Sequence, residues 1–322
     1  MPELPEVETV ANGVHERVHG RRILSVWTSG KPQTFKSPEA EIAEVLTGAR
    51  IARVRRVGKT IVMTLTSGDA PPSGGPSPSP GGPSFAASPQ RVGSKVRSPS
   101  KHPPASIAAQ AEFLIHLGMT GRLLVSHPEV PRPPHTPAVL TLDDRREVRF
   151  VDPRRFGRLS IHQASGLERT TKNEQPSTSN YAGPGREPLT ISLDDFIALF
   201  RNRRTPIKAA LLNQSLLHGV GNIYADEVLF RAGIRPRRQA ARLTRAELSR
   251  LRTALVEVLR HAIQLGGSSV SDYVDADGVR GFFQLRHKVY QRTGEPCLIC
   301  ATPIKRIALA GRSTHFCPTC QR

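Results

Sequence analysis

The four cysteines of this chain constrain its fold more than any other feature. They form two Cys-x-x-Cys pairs separated by sixteen residues, and all four lie within the last 26 of 322 residues. Each pair can place two thiolates on one tight turn, and two such turns complete the tetrahedron that Zn²⁺ prefers. Because four thiolates leave no open position for a substrate, we expect one structural Zn²⁺, held by Cys297, Cys300, Cys317 and Cys320.

The formal charge of +19 indicates a polyanionic partner. Nucleic acid is the leading candidate and an anionic membrane surface is the alternative. No run approaches the roughly 20 apolar residues that span a bilayer, and the basic residues are not gathered on an amphipathic helix. The start of the chain also lacks the apolar core of a signal peptide, so we expect a cytoplasmic protein.

The first nine residues, MPELPEVET, carry a second chemical signal. Removal of Met1, which is expected before a proline, leaves a free secondary amine on Pro2 beside the carboxylate of Glu3. An α-amino group titrates near ~8 and a lysine near ~10.4, so about one such amine in ten is neutral at pH 7, against about one lysine in 2,500. This terminus is therefore a ready nucleophile, and its adduct with an aldehyde carbon is an iminium that keeps its positive charge.

The patterning predicts an α+β chain with two halves. A helix is expected over 5–18 and strands over 23–27, 51–65, 112–116, 122–125, 138–142 and 147–151, which together indicate an antiparallel sandwich or barrel. Helices are expected from residue 193 and over 206–212, 224–232 and 244–265, followed by a cysteine-bearing hairpin. The predicted units are 1–163, a linker at 164–190, a helical unit at 191–281 with a mobile loop at 266–281, and the hairpin unit at 282–322.

A segment rich in Pro, Gly and Ser interrupts the first half at about 68–111. Such a composition cannot bury enough apolar surface to fold, so we expect a disordered loop inserted between two strands. Four basic side chains in it can add weak attraction to DNA, but a tolerated insertion without function is the simpler interpretation.

Five motifs in a fixed order carry a resemblance to a known family. They are PELPEVET at the start, HLGMTG at 116, DPRRFG at 152, GVGNIYADE at 219 and the terminal cysteine pairs. Together they resemble the bacterial formamidopyrimidine-DNA glycosylases, which excise oxidised purines, over nearly the whole chain except 68–111. The resemblance implies an N-terminal antiparallel β-sandwich with flanking helices, a helix–two-turn–helix domain and a Cys₄ zinc-finger β-hairpin.

The same resemblance implies a catalytic set. Pro2 attacks C1′ of the damaged nucleotide, releases the base and holds the sugar as an iminium, while Glu3 protonates the sugar or the leaving group. Lys59 corresponds to a strand lysine that contacts phosphate and handles protons during β-elimination. Arg312 corresponds to an arginine at the tip of the zinc hairpin that contacts phosphate and assists δ-elimination. Glu6 corresponds to a supporting acid.

A glycosylase must take its base out of the stack, and the gap has to be filled. The resemblance assigns this role to Met119, Arg154 and Phe156. A thioether and an aromatic ring can occupy apolar space between bases, and a guanidinium can satisfy the orphaned partner base. By composition alone, Met119 and Phe156 would be core residues and Arg154 a surface charge.

Four further residues are matched to DNA contacts: His135, Arg203, Lys208 and Asn222. Asn222, in the glycine-rich turn, is expected to donate to a phosphate, a contact that positions DNA without reading sequence. Three departures from the family pattern are Pro206, the Pro133-Pro134 pair beside His135, and Ser271 where a lysine is usual. The last affects damage preference and leaves the core reaction in place.

The chain is expected to act as a monomer on damaged double-stranded DNA, as a bifunctional glycosylase and AP lyase for 8-oxoguanine and formamidopyrimidines. Three alternatives to this function remain open. The same chemistry with a preference for oxidised pyrimidines, as in the endonuclease VIII branch, is one alternative. A zinc-dependent protein that binds damaged DNA without catalysis is a second, and membrane binding is a weak third.

Overall fold

The computed structural model describes residues 2–67, 111–163, 180–269, 276, 278–279 and 281–322. The predicted insert, apart from its last residue, lies outside these residues, as do 164–179 of the predicted linker and much of the 266–281 loop, including Ser271.

In the described part of the first half, eight strands form two four-stranded antiparallel sheets. One sheet has the order β1-β6-β7-β5 and the other the order β2-β3-β4-β8. Apolar side chains of both sheets and of the first helix share one core. The predicted antiparallel arrangement is therefore confirmed. The elements are α1 (Leu4–Val18), β1 (Ile23–Thr28), α2 (Glu39–Leu46), β2 (Arg50–Val57), β3 (Thr60–Thr66), β4 (Ala111–His116), β5 (Arg122–Ser126), β6 (Ala138–Leu142), β7 (Glu147–Val151) and β8 (Arg158–Gln163).

Two of these elements are absent from the sequence prediction. The strand β8 is mostly polar, and its extended state comes from pairing with β4, where Ile115 lies opposite Leu159. The helix α2 has only eight residues, of which Ile42 and Leu46 are buried, so its helical period is too short to stand out. Local composition is a weak signal for such elements, because tertiary pairing and packing stabilise them.

The second half is helical, as predicted. Its helices are α3 (Leu193–Phe200), α4 (Ile207–Leu212), α5 (Asn222–Ala232) and α6 (Arg245–Gln264). The Ser192 hydroxyl accepts a hydrogen bond from the Asp195 N–H at 3.1 Å, which makes it the N-cap that the sequence predicts. Gly233 ends α5 at φ 70°, in the left-handed conformation that glycine adopts without strain.

The chain closes with a hairpin of β9 (Lys305–Leu309) and β10 (Arg312–Phe316), which turns at Ala310 and Gly311. The helix α1 joins the two halves, because Leu4 packs in the helical core and Val7 packs in the core of the sheets. The Leu4 N–H also donates to the Gly219 carbonyl at 3.0 Å. The first residues of the chain are thereby held at the junction of the two halves.

Candidate active site

The carboxylate of Glu3 is held between two helix starts. Glu3 caps α1, is only 4% exposed, and accepts hydrogen bonds from the N–H groups of Ile223 at 3.1 Å and Tyr224 at 3.4 Å, in the first turn of α5. A helix start presents unpaired N–H groups and a positive dipole end to such an anion. A Cβ on Gly221 would lie 2.2 Å from the Glu3 carboxyl carbon, so only glycine permits this approach. Pro2, directly before Glu3, is buried.

Burial raises the pKa of Glu3 from 4.5 to about 7. The charge of Lys59 and the two N–H donors oppose the rise, whereas the neighbouring Glu6 adds to it. A carboxyl group with this pKa is about half protonated at neutral pH, so it can give and take a proton there. The fold thus places an acid–base group beside the predicted nucleophile.

Lys59 lies in the turn between β2 and β3, directly before the first residue of β3. Burial lowers its pKa, the carboxyl groups of Glu3 and Glu6 oppose that change, and the cation of Arg312 adds to it. A lysine held this way has a larger neutral fraction than an exposed one and can exchange protons more readily.

The buried Glu6 carboxylate ties three segments together. It accepts hydrogen bonds from the Glu3 N–H at 2.8 Å, the Ser268 N–H at 2.7 Å and the Tyr224 hydroxyl. Burial raises the pKa of Glu6, and these donors counter the rise. Tyr224 lies in the GVGNIYADE motif, but the sequence did not indicate its contact with Glu6, because the two residues are 218 positions apart. Glu6 therefore fixes the start of α1 against α5 and against the base of the 266–281 loop.

One cleft of about 740 Å³ brings five predicted residues together. They come from separate parts of the chain: Glu3, Lys59, Met119, Asn222 and Arg312. Two further cleft residues, Tyr290 and Arg306, carry no motif and were missed by the sequence prediction. The cleft thus combines an acid–base group, three cations (Lys59, Arg306 and Arg312) and a hydrogen-bonding amide.

The three residues predicted to fill the void lie in two adjacent loops and are exposed. Met119 is 39% exposed and Phe156 is 52% exposed, contrary to what their composition suggests. The Arg154 guanidinium carbon lies 5.3 Å from the centre of the Phe156 ring. A Cβ on Gly118 would lie 2.5 Å from the Phe156 backbone, so the two loops are closely packed. Exposed apolar side chains on rigid loops are suited to insertion between bases.

His135 and Arg203 are exposed but lie outside the cleft lining. His135 has φ 61°, and its carbonyl accepts the Asp152 N–H at 2.8 Å, so it is fixed to the loop that carries Phe156. Arg203 follows α3, and its Nε donates to the Leu199 carbonyl at 2.6 Å. Their roles as DNA contacts stay predictions.

The structure corrects the prediction that Lys208 contacts DNA. This side chain is 0% exposed, and its Nζ lies 2.7 Å from a carboxylate oxygen of the equally buried Asp226. The ammonium also donates to the Ser313 carbonyl at 2.8 Å and to the Thr314 hydroxyl at 2.9 Å, both on β10. The second Asp226 oxygen accepts the His315 N–H at 2.9 Å. The ion pair therefore fastens the terminal hairpin, next to Arg312, to α5.

The four cysteines form a compact cluster in which all Sγ atoms lie within 4.8 Å of one another. Individual Sγ–Sγ distances are 3.9 Å for Cys297–Cys320 and 3.4 Å for both Cys300–Cys317 and Cys300–Cys320. A tetrahedral site with Zn–S bonds of about 2.3 Å has S–S edges of about 3.8 Å. The Ile299 N–H also donates to the Cys297 sulfur at 3.5 Å. The cluster therefore has the size and the donor set of a Cys₄ zinc site.

In the described residues, no helix has the length and apolar character needed to cross a bilayer.

Three family models match successive parts of the chain. The formamidopyrimidine-DNA glycosylase N-terminal domain matches residues 1–159, and the formamidopyrimidine-DNA glycosylase H2TH domain matches residues 184–274. The zinc finger found in FPG and IleRS matches residues 294–322. The helix–two-turn–helix and zinc-finger expectations are therefore confirmed.

Curated and solved relatives agree with these matches. The chain is 40% identical, over 100% of both chains, to the formamidopyrimidine-DNA glycosylase of Solibacter usitatus. It covers 100% of a Lactococcus lactis FPG mutant solved with a Fapy-dG containing DNA, at a TM-score of 0.75 and 27% identity. A wild-type Lactococcus lactis FPG solved with an oxidised pyrimidine containing DNA matches with full coverage of both chains, a TM-score of 0.74 and 27% identity.

Proposed function

Because this chain belongs to the formamidopyrimidine-DNA glycosylase family, and is thus a DNA glycosylase of base excision repair, we propose that it removes oxidised purines from double-stranded DNA and then cuts the strand. The proposed substrates are 8-oxoguanine and formamidopyrimidines, and the proposed second activity is that of an AP lyase. The proposed location of this work is the bacterial cytoplasm, where the DNA lies.

The proposed nucleophile is the secondary amine of Pro2, freed by removal of Met1. Its nitrogen forms a bond to C1′ as the bond from C1′ to the base nitrogen breaks, and the base leaves with a proton. Opening of the sugar ring then gives an iminium between Pro2 and C1′. Glu3 supplies the proton for ring opening or for base departure, and its pKa of about 7 keeps a protonated fraction available.

Strand cleavage requires a proton to be taken from C2′ of the iminium, after which the 3′ phosphate leaves. Lys59 is the proposed acceptor of that proton and a contact to phosphate, and its lowered pKa supports this role. Arg312, which also lines the cleft, is the proposed partner of the second phosphate in δ-elimination. A guanidinium suits this task because it stays charged and binds phosphate through two N–H groups.

The remaining DNA contacts divide by role. Asn222, Arg203 and His135 are proposed to hold backbone phosphates, while Met119, Phe156 and Arg154 are proposed to fill the gap left by the extruded base. The chain's charge of +19 supports tight, salt-dependent binding. The proposed acting species is a monomer.

Zinc is proposed to act structurally. When bound by Cys297, Cys300, Cys317 and Cys320, the ion crosslinks two turns and contributes no Lewis acid chemistry to the reaction, because the protein fills all four positions. The hairpin alone is too short to fold, so the metal fixes the tip that presents Arg312. The Lys208–Asp226 ion pair then aligns this hairpin with α5.

The observation that carries the proposal is the cleft that joins Glu3 to Lys59 and Arg312. The test is borohydride trapping on duplexes that contain 8-oxoguanine, a formamidopyrimidine or thymine glycol. We expect a covalent adduct with the purine lesions, and peptide mapping should locate it on Pro2. A variant that retains Met1 is the matched control and should give no adduct. Excision without any adduct, or an adduct on a lysine, would contradict the proposed nucleophile.

A preference for oxidised pyrimidines remains the second candidate, because the Lactococcus lactis relative was solved with an oxidised pyrimidine containing DNA. The thymine glycol duplex in the same experiment separates the two preferences by the relative yield of adduct. Absence of adduct and of excision on every lesion would instead favour a protein that binds damaged DNA without catalysis.

A further inference from the structure

The only tryptophan of this chain lies on the surface in an unusual setting. Trp27 is in β1, an edge strand of its sheet, and is 45% exposed. The guanidinium carbon of Arg132, which is also exposed, lies 4.5 Å from the centre of the indole ring. A large exposed aromatic ring carrying a stacked cation resembles a binding surface more than a folding requirement.

A cavity of about 250 Å³ opens beside this pair and presents positive charge. Its lining includes Trp27, Lys31, Arg155 and His135. Asp152 is the carboxylate of the lining, but it is 0% exposed and is occupied by the Gly157 N–H at 2.6 Å and the Thr120 hydroxyl at 3.2 Å. The charge that faces the cavity is therefore positive.

One buried polar group in this lining lacks a partner. The Ser29 hydroxyl oxygen is inaccessible to solvent and makes no hydrogen bond with any residue that the structure describes. A buried hydroxyl without a partner costs free energy. Because solvent does not reach this oxygen, the positive charge of the lining, and not the hydroxyl, is the feature that suits an anion.

The cavity lies next to the residues that are proposed to enter the duplex. Arg155, in its lining, stands between Arg154 and Phe156 in the chain. The Asp152 N–H donates to the His135 carbonyl at 2.8 Å, so the two loops are joined by a backbone hydrogen bond. We take a duplex held open by Phe156 to extend from this loop across the cavity toward Trp27.

We propose that Trp27 and Arg132 form a contact for the undamaged flank of the bound duplex. A backbone phosphate of that flank lies in or beside the cationic cavity, Arg132 pairs with a phosphate, and the indole packs against the adjacent deoxyribose. Contacts of this kind lengthen the stretch of DNA that the protein covers and fix the orientation of the duplex, without reading its base sequence. The proposal rests on the proposed function, since it takes the duplex to be seated on Phe156.

The tryptophan itself supplies the first test, because its emission reports on one position. Wild-type protein is titrated with duplexes that carry a tetrahydrofuran abasic analogue, with full flanks or with either flank trimmed to about four base pairs. We expect a change in emission with full flanks, and loss of that change when one particular flank is removed. An emission that stays the same with the longest duplex overturns the proposal.

The second test measures affinity by anisotropy of the labelled duplex. Arg132→Ala should weaken binding of the full-flank duplex about three- to ten-fold and reduce the slope of log K against log salt by about 1, as expected for one lost phosphate contact. Binding of the duplex that lacks the relevant flank should change less. The matched control is Arg260→Ala, an exposed arginine on α6. Equal effects of both variants at every flank length overturn the proposal.

The two proposals fail in different ways. Wild-type excision of 8-oxoguanine with no flank-dependent emission leaves the enzyme reaction standing and removes the Trp27 contact. Flank-dependent emission without excision supports the contact and removes the proposed reaction.

Discussion

Replacing Glu3 with Gln should separate the chemistry of this carboxyl group from its effect on stability. The side chain is 4% exposed, and its pKa in the folded protein is about 7, compared with 4.5 for an ordinary glutamate. One pKa unit corresponds to about 1.36 kcal/mol, so the shift amounts to about 3.4 kcal/mol. Gln has nearly the same shape and carries no charge, so it removes this titration.

The sign follows from proton binding. Between pH 4.5 and 7 the folded protein holds a proton on Glu3 that the unfolded chain has released, so raising the pH through this window destabilises the fold. We therefore expect the free energy of unfolding of the Glu3→Gln variant, relative to wild type, to rise by about 3 kcal/mol from pH 4.5 to 8. In the variant, the NH₂ group of the Gln side chain faces one of the two backbone N–H donors, where the wild type has an oxygen. This lost hydrogen bond lowers the stability of the variant relative to wild type by about 1 kcal/mol at every pH, so the pH dependence of the difference stays the same.

The assay is denaturant unfolding of both proteins at half-unit pH intervals. Protonation of cysteines and of Glu6 affects both proteins, so most of it cancels in the difference between them. Glu16→Gln, on the exposed face of the same helix, controls for the loss of one carboxylate. A difference in unfolding free energy that stays constant with pH would refute the burial argument for Glu3.

The excision rate gives an independent check. The Pro2 amine has a pKa near ~8 and the Glu3 carboxyl group a pKa of about 7, so the single-turnover rate of base release should peak near pH ~7.5. An unshifted glutamate would move that peak to about pH 6.2. Glu3→Gln should lose base release while remaining folded. A peak below pH 6.5 would show that the buried environment of Glu3 does not persist in the DNA complex.

Three further changes test other parts of the structure. Lys208→Met leaves Asp226 buried without its cation, so the free energy of unfolding, measured with denaturant, should fall by about 3–5 kcal/mol. The double variant that adds Asp226→Asn should lose less stability, and equal losses in the two variants would contradict the ion pair. Cys317→Ser should release zinc in a metal assay and weaken DNA binding while circular dichroism keeps its helical signal; undiminished binding by zinc-free protein would contradict the structural role. Deletion of 70–105 should leave excision within a few-fold, because Leu65 lies opposite Ala111 in adjacent antiparallel strands that a short turn can join; complete loss of excision would show that the insert does more than connect them.

Residues that lie in short motifs could be placed from the sequence, because their spacing along the chain reflects local geometry. The cysteine pairs predicted a tetrahedral cluster, and the four Sγ atoms lie within 4.8 Å. Ser192 predicted the start of a helix, and it caps α3. In each case the chemistry is complete within a few residues, so no knowledge of the rest of the fold is needed.

Residues whose role depends on distant partners could not be placed in this way. Lys208 lies in a basic stretch, RNRRTPIK, which suggests a surface that binds phosphate. Its position on α4 turns it inward, where Asp226 and the β10 backbone surround it. Sequence reasoning counts the charge correctly but cannot tell whether solvent, DNA or a carboxylate balances it, because that depends on contacts across 105 positions.

The proposed reaction depends on the same kind of distant contact. A Glu3 exposed to water at a chain end would be a poor proton donor, since an ordinary glutamate with a pKa of 4.5 has about one group in 300 protonated at pH 7. Packing of α1 against the start of α5, which the absence of a side chain at Gly221 permits, removes water from Glu3 and raises its pKa to about 7. The protonated fraction thereby rises more than a hundred-fold, to about half. Gly221, which has no side chain to take part in the reaction, therefore sets the reactivity of the group that does.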